Sequence, residues 1–136
     1  MKDREKPETL RLRAVMPSLT VSDLRASVAW YRDVLGCVVG ELMEPGGELV
    51  AARMRAGSVD FMLGQDDWAK GRDRVKGEGF RLYCVTRQEI DRVAEDIRAR
   101  GGELDQEPTD QPWGARDLAV VDPDGFKITI SSGLGN

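Results

Sequence analysis

The residue types that could do chemistry in this 136-residue chain already exclude the commonest catalytic arrangements. The sequence has no histidine, so neither a Ser-His-Asp nor a Cys-His nucleophile is available. Asp60 could act as a general base if burial raised the pKa of its carboxyl, with Tyr83 nearby, but nothing in the sequence requires it. Cys37 and Cys84 are far apart and outside any CxxC spacing, so we expect two reduced, buried packing thiols. We assign no catalytic residue.

Charge and hydropathy limit the partners and the location that we expect. The net charge is -4, which argues against a nucleic-acid partner because phosphate binding depends on clustered Lys and Arg. No apolar run approaches the roughly 20 residues that a membrane span needs. The charged N-terminal segment MKDREKPETLRLR lacks the apolar middle of a secretory signal. We therefore expect a cytoplasmic protein, without a membrane partner, that begins with a flexible arm over residues 1–11.

The elements that must position any site occur twice along the chain. In the first segment, residues 12–65, apolar and mixed positions alternate from Val15 to Val21, which predicts a strand with one apolar face. Ser22 or Asp23 then caps an amphipathic helix that Gly36 ends. Three antiparallel strands joined by tight turns are predicted to follow.

The second segment, residues 80–132, repeats this order. Thr86 and Glu89 have the spacing of a capping box, and Gly101 is placed to end the helix that they start. The DPDG stretch at 122–125 is typical of a turn between two strands. Residues 66–79 are polar and glycine-spaced, so we expect them to link the two segments. The sequence thus predicts an α+β fold made of two βαβββ modules.

Two stretches within this repeat, LTVSDLRASVAWYRDVLG and PWGARDLAVVDPDGFKITI, resemble the vicinal oxygen chelate superfamily of glyoxalases, bleomycin-resistance proteins and dioxygenases. The resemblance implies one domain over 12–132, with an open, cup-shaped mixed sheet, helices outside and a homodimer. It also implies a divalent metal held by His, Glu or Gln at four positions, which here are Met16, Met62, Phe80 and Thr129. Those side chains do not suit Mn, Fe, Ni or Zn. We expect no cofactor, as in metal-free bleomycin-resistance members.

The inner face of such a cup is predicted from strand alternation. It is mostly apolar with a few polar groups, which is how small-molecule pockets are built. Each of these residues also has a purely structural interpretation. The methionines and Phe80 could fill a closed core, and Trp113 could anchor its loop. Arg116 and the charges around Trp68 could simply be solvated. Cys84, two residues after Leu82, is predicted to point to the same inner face. The candidate ligand-binding residues are Met16, Ser18, Asp60, Met62, Trp68, Phe80, Leu82, Trp113, Arg116, Lys127 and Thr129.

Together these features predict a homodimer that binds a hydrophobic or aromatic small molecule, for example in antibiotic sequestration. Trp68 would then belong to a mobile flap over the ligand. Two alternatives stay open. One is a glyoxalase- or dioxygenase-like enzyme with an atypical metal site, and the other is a metal-independent lyase or isomerase.

Overall fold

The computed structural model describes residues 9–133, so residues 1–8 of the predicted arm lie outside the described range. Two modules follow one another with the same order of elements. The first consists of β1 (Ser18–Val21), α1 (Leu24–Asp33), β2 (Val38–Met43), β3 (Ala51–Ala56) and β4 (Val59–Gln65). The second consists of β5 (Arg81–Val85), α2 (Ile90–Ala99), β6 (Gln106–Asp110), β7 (Arg116–Val121) and β8 (Lys127–Ser131).

Each module forms a mixed four-stranded sheet. The strand orders are β1-β4-β3-β2 and β5-β8-β7-β6. In both sheets the first strand of the module runs parallel to the last, and all other neighbours are antiparallel. The identical topology confirms the predicted βαβββ repeat and the α+β class.

The helix ends follow from local hydrogen bonding. Asp23 caps α1, since its Oδ1 accepts a bond from the backbone N–H of Ala26 at 3.2 Å. The capping box predicted at Thr86 is wrong: its hydroxyl accepts from the N–H of Gln88 at 3.1 Å and closes a turn. Helix α2 begins after that turn, and its cap residue Glu89 makes no side-chain bond.

One hydrophobic core lies between the helices and the sheets. Leu24 and Val28 of α1 and Ile90 and Ile97 of α2 belong to one buried cluster with strand residues of both modules. Burial alternates along β1, and only every second residue faces this cluster. We call the opposite face of each sheet its inner face. None of the helices within residues 9–133 is long and apolar enough to cross a membrane.

The two cysteines differ in burial. Cys37 is buried, as expected, but Cys84 is exposed. Cys84 lies on β5, one of the two edge strands of the second sheet, so one side of it has no neighbouring strand among residues 9–133. The prediction of two buried thiols is therefore wrong for Cys84.

The DPDG turn joins the second module to the first helix. The hydroxyl of Tyr31 donates to Oδ2 of Asp122 at 2.8 Å, and the N–H of Ser22 donates to Oδ2 of Asp124 at 3.0 Å. The other oxygen of Asp122 accepts from the N–H groups of Asp124 and Phe126 and shapes the turn. These bonds fix the position of the turn against α1.

Candidate functional site

The inner face of the first sheet carries side chains from three neighbouring strands. Met62 on β4 lies in register between Ser18 on β1 and Arg53 on β3, and Asp60 pairs with Arg55. Residues paired side by side point to the same face of a sheet. The candidates Ser18, Asp60 and Met62 therefore share one surface, together with two arginines that were not predicted.

Asp60 is held by both arginines. Nη2 of Arg53 donates to Oδ2 at 2.7 Å, and Nε of Arg55 donates to Oδ1 at 2.9 Å. These bonds, with Arg55 contributing most, hold the pKa of Asp60 below its usual value. A general base at neutral pH needs a raised pKa, so the suggestion that burial would make Asp60 a base is wrong.

Met16 lies just before β1 rather than on it. Its side chain is 41% exposed, and the carbonyl of the next residue, Pro17, accepts from the N–H of Met62 at 2.8 Å. Met16 thus stands at the edge of the first sheet, without packing into the core.

On β5 the alternation is one residue out of step with the prediction, whereas Lys127 and Thr129 of β8 lie on the inner face as predicted. Leu82 pairs with Ile128, which is 3% exposed in the core, and Leu82 packs against that cluster. Tyr83 pairs with Thr129. Leu82 and Cys84 therefore lie on the helix side, and the expectation that they share a face with Thr129 is wrong.

The side chains that do share the inner face with Thr129 come from alternate positions of β5. Nη1 of Arg81 donates to Oγ1 of Thr129 at 2.9 Å, and the hydroxyl of Tyr83 donates to Oγ of Ser131 at 2.8 Å. Lys127 pairs in register with Arg81 and is exposed on the same face. A guanidinium and an ammonium group thus stand side by side here.

A cavity of about 340 Å³ lies where the first strand meets the linker and the second module. We call it the seam cavity. Its walls include Ser18 and Thr20 of β1, and Phe80, whose ring meets that of Phe126 edge to face at 6.4 Å. Two of the predicted residues, Ser18 and Phe80, are brought together here. The remaining lining residues are Leu19, Arg74, Val75 and Lys76.

Arg116 does not reach the inner face. It lies on the same face of β7 as the core residues Leu118 and Val120. Its guanidinium binds Asp91 of α2 at 2.9 and 3.0 Å and Asp110 at 2.9 Å. Two aspartates on the helix side therefore neutralise the charge of Arg116. This placement is contrary to the ligand contact that we expected for Arg116. Trp113, in the loop between β6 and β7, is 53% exposed.

The linker is tied to a buried carboxylate. Asp66 is 4% exposed and accepts from Nζ of Lys76 at 2.6 Å and Nη2 of Arg74 at 3.0 Å. The bond to Lys76 is the main reason that the pKa of Asp66 lies far below its usual value. Trp68 has φ of 63°, and the guanidinium of Arg72 lies 4.5 Å from its ring centre. The linker reaches the seam cavity through residues 74–76 rather than through Trp68.

Asp117 is an inner-face residue that sequence reasoning missed. It pairs with Ser131 across the sheet and is 3% exposed, yet its Oδ1 has no hydrogen-bond partner within the described residues. The sequence did contain a signal for this placement. Asp117 directly precedes the core residue Leu118 on β7, and neighbouring residues of a strand point to opposite faces of the sheet.

Comparison with known proteins agrees with this architecture. The sequence model of the Glyoxalase/Bleomycin resistance protein/Dioxygenase superfamily matches residues 11–130. The chain belongs to this superfamily. A probable lactoylglutathione lyase of Synechocystis sp. is 30% identical over 118 residues, which cover 82% of this chain and 88% of that protein. A lactoylglutathione lyase of Arabidopsis thaliana is 35% identical over 55 residues, so the match covers 40% of this chain and 19% of that protein.

A solved structure of a superfamily member from Sphaerobacter thermophilus has the same fold. Its TM-score is 0.69 at 24% identity, over 87% of this chain and 96% of that chain. The two mixed sheets with their two helices are thus the superfamily's fold.

The four positions at which a metal is implied for this superfamily do not form a metal site here. Met16 and Met62 offer thioethers, Phe80 offers an apolar ring, and Thr129 offers a hydroxyl that already accepts from Arg81. Within residues 9–133 no three His, Cys, Asp or Glu side chains are grouped so that they could hold a metal ion. The guanidinium beside Thr129 would also repel a divalent cation. The residues present do not fit the metal.

Proposed function

We propose that this superfamily member binds a small molecule between its modules and does so without a metal. The observation that carries the proposal is the bond from Arg81 to Thr129. This bond places a protein cation at a position where the resemblance implies a metal ligand. The inner faces and the seam cavity then remain available for an organic ligand.

The seam cavity supports the proposal by its walls. The rings of Phe80 and Phe126 provide apolar surface, and the hydroxyls of Ser18 and Thr20 provide hydrogen-bonding groups. Small-molecule sites typically combine a mainly apolar lining with a few such polar groups. The predicted preference for a hydrophobic or aromatic ligand fits the two rings, and sequestration would follow from affinity alone.

The test is binding of an aromatic panel with one blocking variant. Ser18→Phe adds a ring inside the seam cavity, and Ser58→Phe adds the same ring on the exposed turn between β3 and β4 as the matched control. We expect saturable binding of at least one compound in equilibrium dialysis, weakened about tenfold by Ser18→Phe and unchanged by Ser58→Phe. The proposal fails if no compound binds saturably or if both variants behave alike.

A second candidate function is lactoylglutathione lyase activity. The Synechocystis relative favours it, because the match covers 88% of that probable lyase. The metal content of protein purified without chelator decides between the two, together with lyase assays in the presence of Mn, Fe, Ni or Zn. Stoichiometric bound metal with activity would replace the binding proposal by this enzyme.

The expected homodimer is proposed as well. Tyr83 is 49% exposed, Val85 63% and Val121 38%, and all three alternate with helix-side residues on the second sheet. A second copy that closes over this face would shield these apolar side chains from water together with a bound ligand. Light scattering of the eluted protein gives the mass that distinguishes one chain from two.

A further inference from the structure

We propose that the small molecule bound by this protein carries a carboxylate, and that Arg81 and Lys127 on the inner face of the second sheet bind it. The inference rests on the proposed function, since it names the chemical class of a ligand bound on the inner face of the second sheet. It follows from the charge that the structure places where the metal does not fit.

The two cations are neighbours by register. Arg81 on β5 pairs with Lys127 on β8 in the parallel ladder, so their side chains leave the sheet side by side on one face. Both residues are exposed. The backbone thus fixes the two positive charges close to each other.

Neither cation is neutralised by an acidic partner in the part of the chain that the structure describes. By contrast, Arg53 and Arg55 share Asp60, and Arg116 is held by two aspartates. The chain as a whole is acidic, with a net charge of -4, so this pair is not part of a general excess of cations. Two adjacent like charges repel each other, and a bound anion would remove that cost.

The guanidinium of Arg81 is already oriented. Its Nη1 donates to Oγ1 of Thr129 at 2.9 Å, which is its one hydrogen-bond partner among residues 9–133. The remaining N–H groups can donate to a carboxylate as a fork, while Lys127 adds a point charge. Tyr83 and Val121, half-exposed beside them, offer apolar contact for the body of the ligand.

The acidic group on this inner face is Asp117, and it lies at the other end of the sheet. Asp117 is four residues along β7 from Val121, the residue paired with Lys127, which is about 13 Å at the rise of a strand. At that distance Asp117 cannot form a direct ion pair with Lys127, since such pairs need an N···O distance of about 4 Å.

The experiment compares two probes of similar shape and different charge, 1-naphthoate and 1-naphthalenemethanol, in equilibrium dialysis. The variants are Arg81→Met and Lys127→Met, and Arg87→Met is the matched control because that arginine is exposed outside the sheets. We expect the wild-type protein to bind naphthoate about tenfold more tightly than the alcohol. Added salt should weaken naphthoate binding and leave the alcohol unaffected. Arg81→Met and Lys127→Met should each weaken naphthoate binding severalfold and alcohol binding less, and Arg87→Met should change neither.

The outcomes separate this inference from the proposed function. Equal, saturable binding of both probes, or naphthoate binding that Arg81→Met and Lys127→Met leave unchanged, overturns the carboxylate inference while small-molecule binding stands. Absence of saturable binding for both probes overturns the inference and counts against the proposed function as well. The urea unfolding midpoint of each variant, compared with that of Arg87→Met, serves as the check that they are folded.

Discussion

Replacing Tyr31 by Phe tests the bond through which the second module holds the first helix. The hydroxyl lies in the core, where Tyr31 is 1% exposed, and donates to Asp122, which is 4% exposed. Phe keeps the ring and its packing against Phe61, whose ring centre lies 5.1 Å away. The substitution therefore removes one hydrogen bond and little else.

The expected loss follows from the charge and burial of the acceptor. A hydrogen bond to a charged group contributes about 1.5–3 kcal/mol, and removing the donor leaves a buried carboxylate with one partner fewer. We expect Tyr31→Phe to lower the free energy of unfolding by about 2 kcal/mol. In a chain of this length that lowers the Tm by about 8 °C.

The loss should depend on pH. Burial raises the pKa of Asp122, and the bond from Tyr31 opposes that rise because it favours the ionised carboxylate. Because its pKa in the folded protein is raised, ionisation of Asp122 weakens the fold as the pH rises above the ordinary carboxyl range. Without the Tyr31 bond the pKa rises further. The deficit of Tyr31→Phe is therefore largest near neutrality and shrinks as acid protonates Asp122.

Urea unfolding near pH 7 and at about pH 4 measures both effects. Tyr83→Phe is the matched control, since it also removes one hydroxyl bond, at 2.8 Å to Ser131, but from a side chain that is 49% exposed. We expect the control to lose less than about 1 kcal/mol at either pH. Equal losses in the two variants, or a loss in Tyr31→Phe that does not change with pH, would refute the reasoning.

Three further predictions follow from individual contacts. Gly77 and Gly79 both have positive φ, but only a Cβ at Gly77 would meet backbone, at the carbonyl of Gly125. Gly77→Ala should therefore lower the free energy of unfolding well beyond the about 1 kcal/mol expected for Gly79→Ala, and urea unfolding of both variants checks this. Asp117→Asn should raise the free energy of unfolding by about 1 kcal/mol, because the substitution removes a charge from a buried, unpartnered oxygen. A lower Tm of this variant in calorimetry would contradict the prediction. Native protein should react with a thiol reagent at exposed Cys84 alone, because Cys37 is buried and its pKa is raised to about 11; two equally fast thiols would count against this.

Much of the fold could be predicted because its signals are local. Glycines mark the ends of both helices, at the corresponding positions Gly36 and Gly101, and the DPDG stretch marks the last turn. The start of α2 was misplaced because Thr86 can close a turn as well as cap a helix, and the two arrangements use the same hydroxyl. Such a choice is decided by the surrounding structure.

The register of β5 could not be read from its sequence. Apolar residues occur on both alternations, with Leu82 and Cys84 on one and Tyr83 and Val85 on the other, so the pattern does not say which set faces the core. Pairing with β8 decides it, because Ile128 is fixed in the core and Leu82 is its neighbour. The buried pair of Asp66 and Lys76 was equally beyond prediction, since it depends on how the linker folds back.

A shift of one residue along β5 changes the chemistry of the inner face of the second sheet. With Leu82 facing inward, the surface around Thr129 would be apolar and neutral. With Arg81 inward, a guanidinium is bonded to Thr129 and stands beside the ammonium group of Lys127. A ligand that fitted the neutral surface would gain binding free energy from apolar burial alone. A ligand that fits the surface with Arg81 and Lys127 must also carry negative charge. The charge of the ligand, rather than its apolar area, is therefore the property by which this inner face should discriminate.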